Sequence, residues 1–301
     1  MDECVYPIQI EKVGEYLVVL DIGNNSQRLS VYTLSGKLIQ RFGNLGHAEN
    51  EIGNIGHFFK LNEHQISVHK PNGILIYDLD SLEEAGLKYK FMPIKINSVG
   101  IQDVYPDSSG VLCFLNSHEE RFSFTDKDGT TFNYNIYPKG FVDNTNDLQA
   151  VFNYAPIFGV DMKNKRFCFG TYIGGLLETF QITSNGIESC GENELFKSKY
   201  KELENGAVSW SEESLMGFQA ISVGEDYIYT LLNGAKGECL MRGELSGNTD
   251  KITVFNWTTT KNSEIQVGHY MLSMCVSEKE KKAYAICFEN GNGFYLICIT
   301  W

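Results

Sequence analysis

One unit recurs six times along this chain, and that repeat constrains the fold more than any other feature. Each unit is a short strand-like run, a polar turn and a second run, often followed by a third. The first covers 16–21, 29–34 and 38–42, with a Ser35-Gly36-Lys37 turn. The second covers 65–69 and 73–78. The third covers 111–115, 121–125 and 131–137, with an Asp128-Gly129 turn. The fourth covers 166–170, 177–183 and 187 onward, with an Asn185-Gly186 turn. The fifth covers 227–232, 238–245 and 251–255, and the sixth covers 282–287 and 293–300. The units start roughly 45 to 60 residues apart, the length of a four-stranded propeller blade. Their runs are short, β-branched and aromatic, which marks strands, and helical periodicity is nearly absent. The glycines in these turns supply the positive φ that tight hairpins need.

A further apolar run precedes each unit, at 5–10, 55–61, 100–105, 155–161, 217–223 and 270–276. These read as innermost strands lining a central channel. Two packed sheets would not need six equivalent inner strands. The expected fold is therefore an all-β, six-bladed β-propeller forming one domain over 1–301. Its blades fall roughly at 1–45, 46–92, 93–139, 140–196, 197–258 and 259–301. The last unit ends at Trp301 without a fourth strand. Three closures fit: a three-stranded blade, a strand upstream of Met1, or residues 5–10 joining blade six to sew the ring shut.

Composition narrows the partners. A net charge of -13 repels phosphate backbones and anionic lipid headgroups, so nucleic acid is not an expected partner. No stretch reaches the roughly 18 apolar residues of a membrane-spanning helix. The opening MDECVYPIQIEK has no basic segment followed by an apolar one, so it is not a signal peptide as it stands. A cytoplasmic protein and one whose leader has been removed both fit. The chain has eight cysteines and no C-x-x-C spacing. Cys113, Cys168, Cys239, Cys275, Cys287 and Cys298 sit in apolar strand-like runs and are expected as buried thiols, leaving Cys4 and Cys190 exposed.

Residues Arg41-Phe42-Gly43-Asn44-Leu45-Gly46-His47-Ala48-Glu49-Asn50-Glu51-Ile52 resemble the F-G-x-x-G-x-G-x-x-E-[FI] connection after the first blade of TolB-like six-bladed propellers of Bacteroides-type bacteria. The preceding Val31-Tyr-Thr-Leu-Ser-Gly-Lys37 and the closing Lys281-Lys-Ala-Tyr-Ala-Ile286 are similar to the same family. His47 departs from the glycine or glutamine usual there, and Asn50 from a glycine. Such proteins are often envelope lipoproteins without an assigned activity, so the resemblance implies a periplasmic or outer-membrane-associated location. On physical grounds alone, Gly43, Gly46 and Gly53 permit a tight path back to the axis, and Glu51 is placed to accept backbone N–H groups.

No strong catalytic motif is present: no G-x-S-x-G, no H-E-x-x-H and no Walker loop. His118-Glu119-Glu120 lacks the second histidine of a zinc site, and Asp126-Lys-Asp128-Gly129 lacks the distal acids of a calcium loop and reads as a hairpin turn. Asp78 and Asp80 read as a solvated strand end. No cofactor or metal is expected. A propeller places ligands at a channel mouth, near the inner strands. The polar and aromatic residues expected there are Tyr6, His57, Gln102, Asp103, Tyr154, Gln219, His269 and Tyr270. Two histidines, an acid and several tyrosines suit a binding pocket, an acid–base or metal site, or a wet channel in which they satisfy one another.

Two insertions break the rhythm, at 139–154 and at 192–216. In the second, Leu195, Phe196, Tyr200 and Leu203 have partial helical spacing. Trp210 and Trp257 are candidate exposed anchors for a partner. The leading functional expectation is a non-catalytic envelope module that binds a protein, peptide or glycan. The alternative is a hydrolase or lyase with its site in the channel. A structural spacer is the third reading.

Overall fold

Short antiparallel hairpins build every sheet. A computed structural model describes residues 4–53, 55–82, 87–93, 101–115, 120–136, 156–197, 200–202, 208–210, 212–241, 249–289 and 293–301. The first sheet is β1 (Pro7–Val13), β2 (Tyr16–Asp21), β3 (Gln27–Thr33) and β4 (Leu38–Asn44), in that order. The second is β5 (Phe59–Lys60), β6 (Gln65–Lys70), β7 (Gly73–Asp78) and β8 (Lys88–Pro93). The third is β9 (Ile101–Asp107), β10 (Gly110–Leu115), β11 (Phe122–Asp126) and β12 (Thr131–Tyr134). The fourth is β13 (Pro156–Asp161), β14 (Arg166–Thr171), β15 (Leu176–Thr183) and β16 (Gly186–Glu194). The tight turns expected at Gly36 and Gly129 have φ of +85° and +86°. Together with the sheet that follows, these stand around a central channel as an all-β propeller.

A fifth large sheet is continuous over six strands: β19 (Phe218–Val223), β20 (Tyr227–Leu232), β21 (Thr249–Asn256), β22 (Lys261–Ser277), β23 (Lys282–Glu289) and β24 (Gly293–Thr300). Strand β22 carries the continuity. Its first half pairs with β21, as in Lys251↔Gln266, and its second half pairs with β23, as in Cys275↔Tyr284. Between the halves, Gly268 takes a φ of +78°, a backbone bend that a side-chain-bearing residue resists. Of the run expected at 238–245 as a strand, the described part is instead a helical turn, α1 (Gly237–Met241), 242–245 lie outside the described residues, and β21 pairs with β20. Glu238, Leu240 and Met241 are good helix formers without β-branching, which explains the difference.

Strand β1 pairs with β2, Ile10 opposite Val19, so residues 5–10 do not sew the ring shut by joining the last sheet. Strand β24 pairs with β23 and is the last strand of its sheet. The 192–216 insertion carries a hairpin, β17 (Tyr200–Glu202) and β18 (Val208–Trp210), in place of the partial helix. The 139–154 insertion lies outside the described residues. Among the described residues no helix is long and apolar enough to cross a membrane.

The core lies between sheets, because each blade has two apolar faces and must cover both. Val18, Leu20 and Leu29 of the first sheet meet Ile66, Val68 and Leu75 of the second. Ile74 meets Val104 and Cys113, and the third and fourth sheets share an aromatic cluster of Phe114, Phe122, Phe167 and Phe180. Cys168 and Leu177 meet Phe218 and Ile228. Within the six-stranded sheet, Tyr229 and Leu231 meet Met274 and Ala285. Ile10, Leu17 and Val19 meet Cys275, Tyr284 and Ile286, which closes the circuit. Cys113, Cys168, Cys275 and Cys287 are buried thiols, whereas Cys298 is exposed on β24 and Cys239 is half-buried on α1. Cys4 is half-buried, with its Sγ 3.1 Å from the Tyr32 hydroxyl.

Buried charges fasten two of these joints. The Arg121 guanidinium forks onto the Glu178 carboxylate at 3.2 and 2.5 Å, joining β15 to the start of β11. The two side chains are only 5% and 4% exposed. Lys70 sits at the 41–52 connection and donates to the carbonyls of Ala48, Glu49 and Glu51 at 2.7, 3.0 and 2.8 Å. There Glu51 accepts the Ala48 N–H at 2.8 Å, and a Cβ on Gly46 would lie 2.0 Å from its carboxylate. Gly43 takes a φ of +72°, but Gly53 has open space and no positive φ, so only the first two glycines are required.

Candidate functional site

Polar residues alternate with apolar ones along β1, Ile8-Gln9-Ile10-Glu11, and this alternation opens the channel to chemistry. Gln9 bridges to the next sheet: its side-chain amide donates to the Phe58 carbonyl at 2.7 Å, and its oxygen accepts the Phe58 N–H at 3.0 Å. Ile10 turns the other way, and its N–H reaches Ser273 Oγ at 3.3 Å. Ser222 Oγ accepts the Val276 N–H at 2.9 Å, and the Tyr105 hydroxyl donates to the Lys60 carbonyl at 3.0 Å. Hydrogen bonds between inner strands thus rim a cavity of about 1010 Å³, lined by β1, β5, β13, β19 and the second half of β22, with Tyr105 from β9.

Ion pairs between neighbouring sheets gather at the mouth where the inner strands end. Lys12 Nζ lies 3.1 Å from Glu280, Lys163 Nζ 3.2 Å from Glu225, and the Gly14 N–H donates to Glu63 at 3.2 Å. Glu278 accepts from the Asp226 N–H and the Tyr229 hydroxyl at 3.0 and 2.9 Å. Deeper in the cavity, burial pushes the Glu11 carboxyl up to about 7, against the opposing pull of the Lys60 ammonium and a Gln9 hydrogen bond. Glu11 nevertheless keeps a partly accessible surface, so channel water reaches it.

Two of the expected mouth residues come together. His57 Nδ1 lies 3.4 Å from the Asp103 carboxylate, which is buried and accepts the Val104 N–H at 2.9 Å. His57 lines the cavity and meets the Phe158 ring edge-on. The Asp103 charge also acts on His69. Burial holds its ring below the usual histidine range, while Asp103 and a hydrogen bond to the Gln102 backbone pull the other way. Gln219 lines the cavity with a buried side-chain oxygen, whereas Gln102 is exposed outside it.

The other expected residues lie elsewhere. His269 and Tyr270 sit at the bend of β22, where His269 Nδ1 is 3.0 Å from the Tyr295 hydroxyl, so His57, Asp103 and His269 do not converge. Tyr6 is exposed and meets Phe294 edge-on. Trp257 is half-buried beneath the Arg166 guanidinium, 4.0 Å from the ring, and is no exposed anchor. Trp210 ends β18, and its side chain lies outside the described residues, as do Tyr154, His118 and Glu119. Asp126 caps its own hairpin, accepting the Asp128 and Thr130 N–H groups at 2.9 and 2.8 Å. Among the described residues no three His, Cys, Asp or Glu side chains gather to hold a metal ion. The sequence reading missed Glu11, Lys60, Tyr105 and Phe158. Polar residues at alternate positions of an inner strand, as in Gln9 and Glu11, are the signal that points to them.

The model of the TolB-like 6-blade propeller-like family matches residues 4–279. The chain belongs to this family. No curated protein matches the sequence. Among solved structures, this TolB-like propeller is similar to a putative exported protein of Bacteroides fragilis, at 11% identity over 96% of this chain and 81% of that one, with a TM-score of 0.58. A DUF4221-family protein of Bacteroides vulgatus gives 11% identity, 98% and 93% coverage and a TM-score of 0.56. Hydrazine synthase of Kuenenia stuttgartiensis gives 13%, 98% and 84%, and 0.51. At these identities the likeness is one of fold alone.

Proposed function

We propose that this TolB-like propeller is a non-catalytic recognition module of the bacterial cell envelope, holding a protein, peptide or glycan partner through its central channel. The observation that carries this reading is the cavity of about 1010 Å³ lined by residues of every inner strand, polar ones among them. A periplasmic or outer-membrane-associated location draws support from the family resemblance and from the exported protein among its structural relatives. We take the domain to span 1–301 with six blades, the six-stranded sheet counting as two that share β22. The circuit of apolar clusters, one at each junction between neighbouring units, supports that count.

An obstructed channel tests the reading. Gly56 lines the cavity, and a Cβ there meets nothing within 4 Å, so Gly56→Trp sets an indole at the channel wall without backbone strain. Envelope extract of the source organism is passed over the immobilised wild type and over Gly56→Trp. The wild type is expected to retain a component that the variant retains at least about tenfold less. Equal retention on both overturns the channel as the recognition site. The second reading, a hydrolase or lyase acting in the channel, is favoured by one observation: His57 is held against the buried Asp103 and opens on the cavity. The same experiment separates the two readings, since an enzyme converts the retained component and a binder returns it unchanged.

A further inference from the structure

Arg28 of β3 is 7% exposed, and its Nε and Nη1 atoms are buried without an acceptor. Among the described residues no ion pair or hydrogen bond reaches it. The other buried cations are matched: Lys12 pairs with Glu280, Lys70 donates to three carbonyls and Arg121 forks onto Glu178. A guanidinium keeps its charge wherever a protein places it, so burial without a partner is costly and does not relax by loss of a proton. The strands fix where this charge points. Leu29 and Val31 pack toward the second sheet, so alternation turns Arg28, Ser30 and Tyr32 to the other face, where Tyr32 meets Tyr284 and Ile286 of the six-stranded sheet. Arg41 is opposite Ser30 on β4, which puts a second guanidinium on this face, diagonal to Arg28.

The acid that the ladder brings to Arg28 is already engaged. One step past the Leu20↔Leu29 pair, Asp21 falls opposite Arg28. Its oxygens accept the Val5, Tyr6 and Gly23 N–H groups at 2.8, 2.7 and 3.1 Å, which leaves the guanidinium donors unmet. Burial raises the Cys4 thiol and the Tyr32 hydroxyl above their ordinary ranges, so neither supplies an anion. Water accepts hydrogen bonds without balancing charge, so the acceptor this site selects is an oxyanion. We infer that Arg28 holds a carboxylate, lodged between the first sheet and the six-stranded sheet. A carboxylate is planar and singly charged, which matches one guanidinium, whereas a phosphate dianion is repelled more strongly by Asp21 and by a protein of net charge -13. Arg28 does not line the channel cavity, so this site is independent of the recognition reading.

Thermal unfolding of the wild type and Arg28→Met in sodium acetate, sodium phosphate and sodium chloride, at one ionic strength and pH 7, is the test. In chloride the variant is expected to melt about 2–4 °C above the wild type, because an unmatched buried charge has become an apolar side chain. Replacing chloride by acetate is expected to raise the wild-type midpoint about 2–4 °C more than that of the variant, which shares any general salt effect. In nitrogen-15 NMR of the wild type, the Arg28 Nε–H resonance, assigned by its loss in the variant, is expected to move as acetate is added. A variant that melts below the wild type in chloride, or does not fold, overturns the inference, because the protein itself then supplies the partner of Arg28. An equal response of both proteins to acetate, or an Nε–H resonance that stays in place, also overturns it. Stronger stabilisation of the wild type by phosphate than by acetate overturns the choice of a carboxylate.

Discussion

Arg121→Met lowers the unfolding free energy by about 3–5 kcal/mol, read as a shift of the urea midpoint at pH 7. The cause is the carboxylate left behind. Glu178 is 4% exposed, and its two oxygens are satisfied by the two ends of the Arg121 fork. The guanidinium also donates to the Ile136 carbonyl at 2.8 Å and lies 5.0 Å from the ring centroids of both Phe122 and Phe169. Removing it strands a buried negative charge inside an aromatic cluster, where water cannot replace the lost donors. The double variant Arg121→Met/Glu178→Met is expected to recover most of the loss, because two apolar groups of similar volume replace a desolvated pair at little net cost. A single-variant loss under about 1 kcal/mol contradicts the buried pairing.

Glu11→Gln raises stability at pH 8 and leaves it unchanged near pH 4. In the unfolded chain this carboxyl ionises near its ordinary 4.5, and in the folded channel near 7. Between those values the unfolded state sheds a proton that the folded state keeps, so this group draws stability down as pH climbs from about 4.5 to about 7, with no further change above. A shift of that size corresponds to about 3 kcal/mol at most, and channel water reaching Glu11 reduces it to about 1–2 kcal/mol. His69 acts in the opposite direction: its depressed ionisation adds stability above its ordinary range that is lost on acidification. Subtracting the wild-type pH–stability curve from that of Glu11→Gln therefore isolates the carboxyl. A difference that does not change between pH 4 and pH 8 contradicts a buried Glu11.

The strands were legible because each rule acts locally. Ser35-Gly36, Asp128-Gly129 and Asn185-Gly186 fall where hairpins turn, and the period-two runs beside them are strands. Strand reading failed where one run served two roles. The inner strand expected at 270–276 is the second half of β22, whose first half belongs to the preceding unit. The 238–245 run failed because apolar content without alternation does not choose between helix and strand. At the site, His57 and Asp103 were legible as polar residues near inner strands, and they do pair. Glu11 was not, because its character comes from the burial that the ring imposes, and the opposing pull comes from Lys60, 49 residues away. Arg121 and Glu178 are 57 residues apart, and nothing local in either strand announces the other.

If the channel is where this propeller meets its ligand, the inner strands change and the outer ones do not. Hydrogen–deuterium exchange with and without the retained envelope component measures this strand by strand. Added protection is expected in the segments that line the cavity, 8–12, 56–63, 157–164, 219–226 and 273–279, with β4, β8 and β16 unchanged. Protection confined to those outer strands, or no protection anywhere despite retention, contradicts a recognition site in the channel.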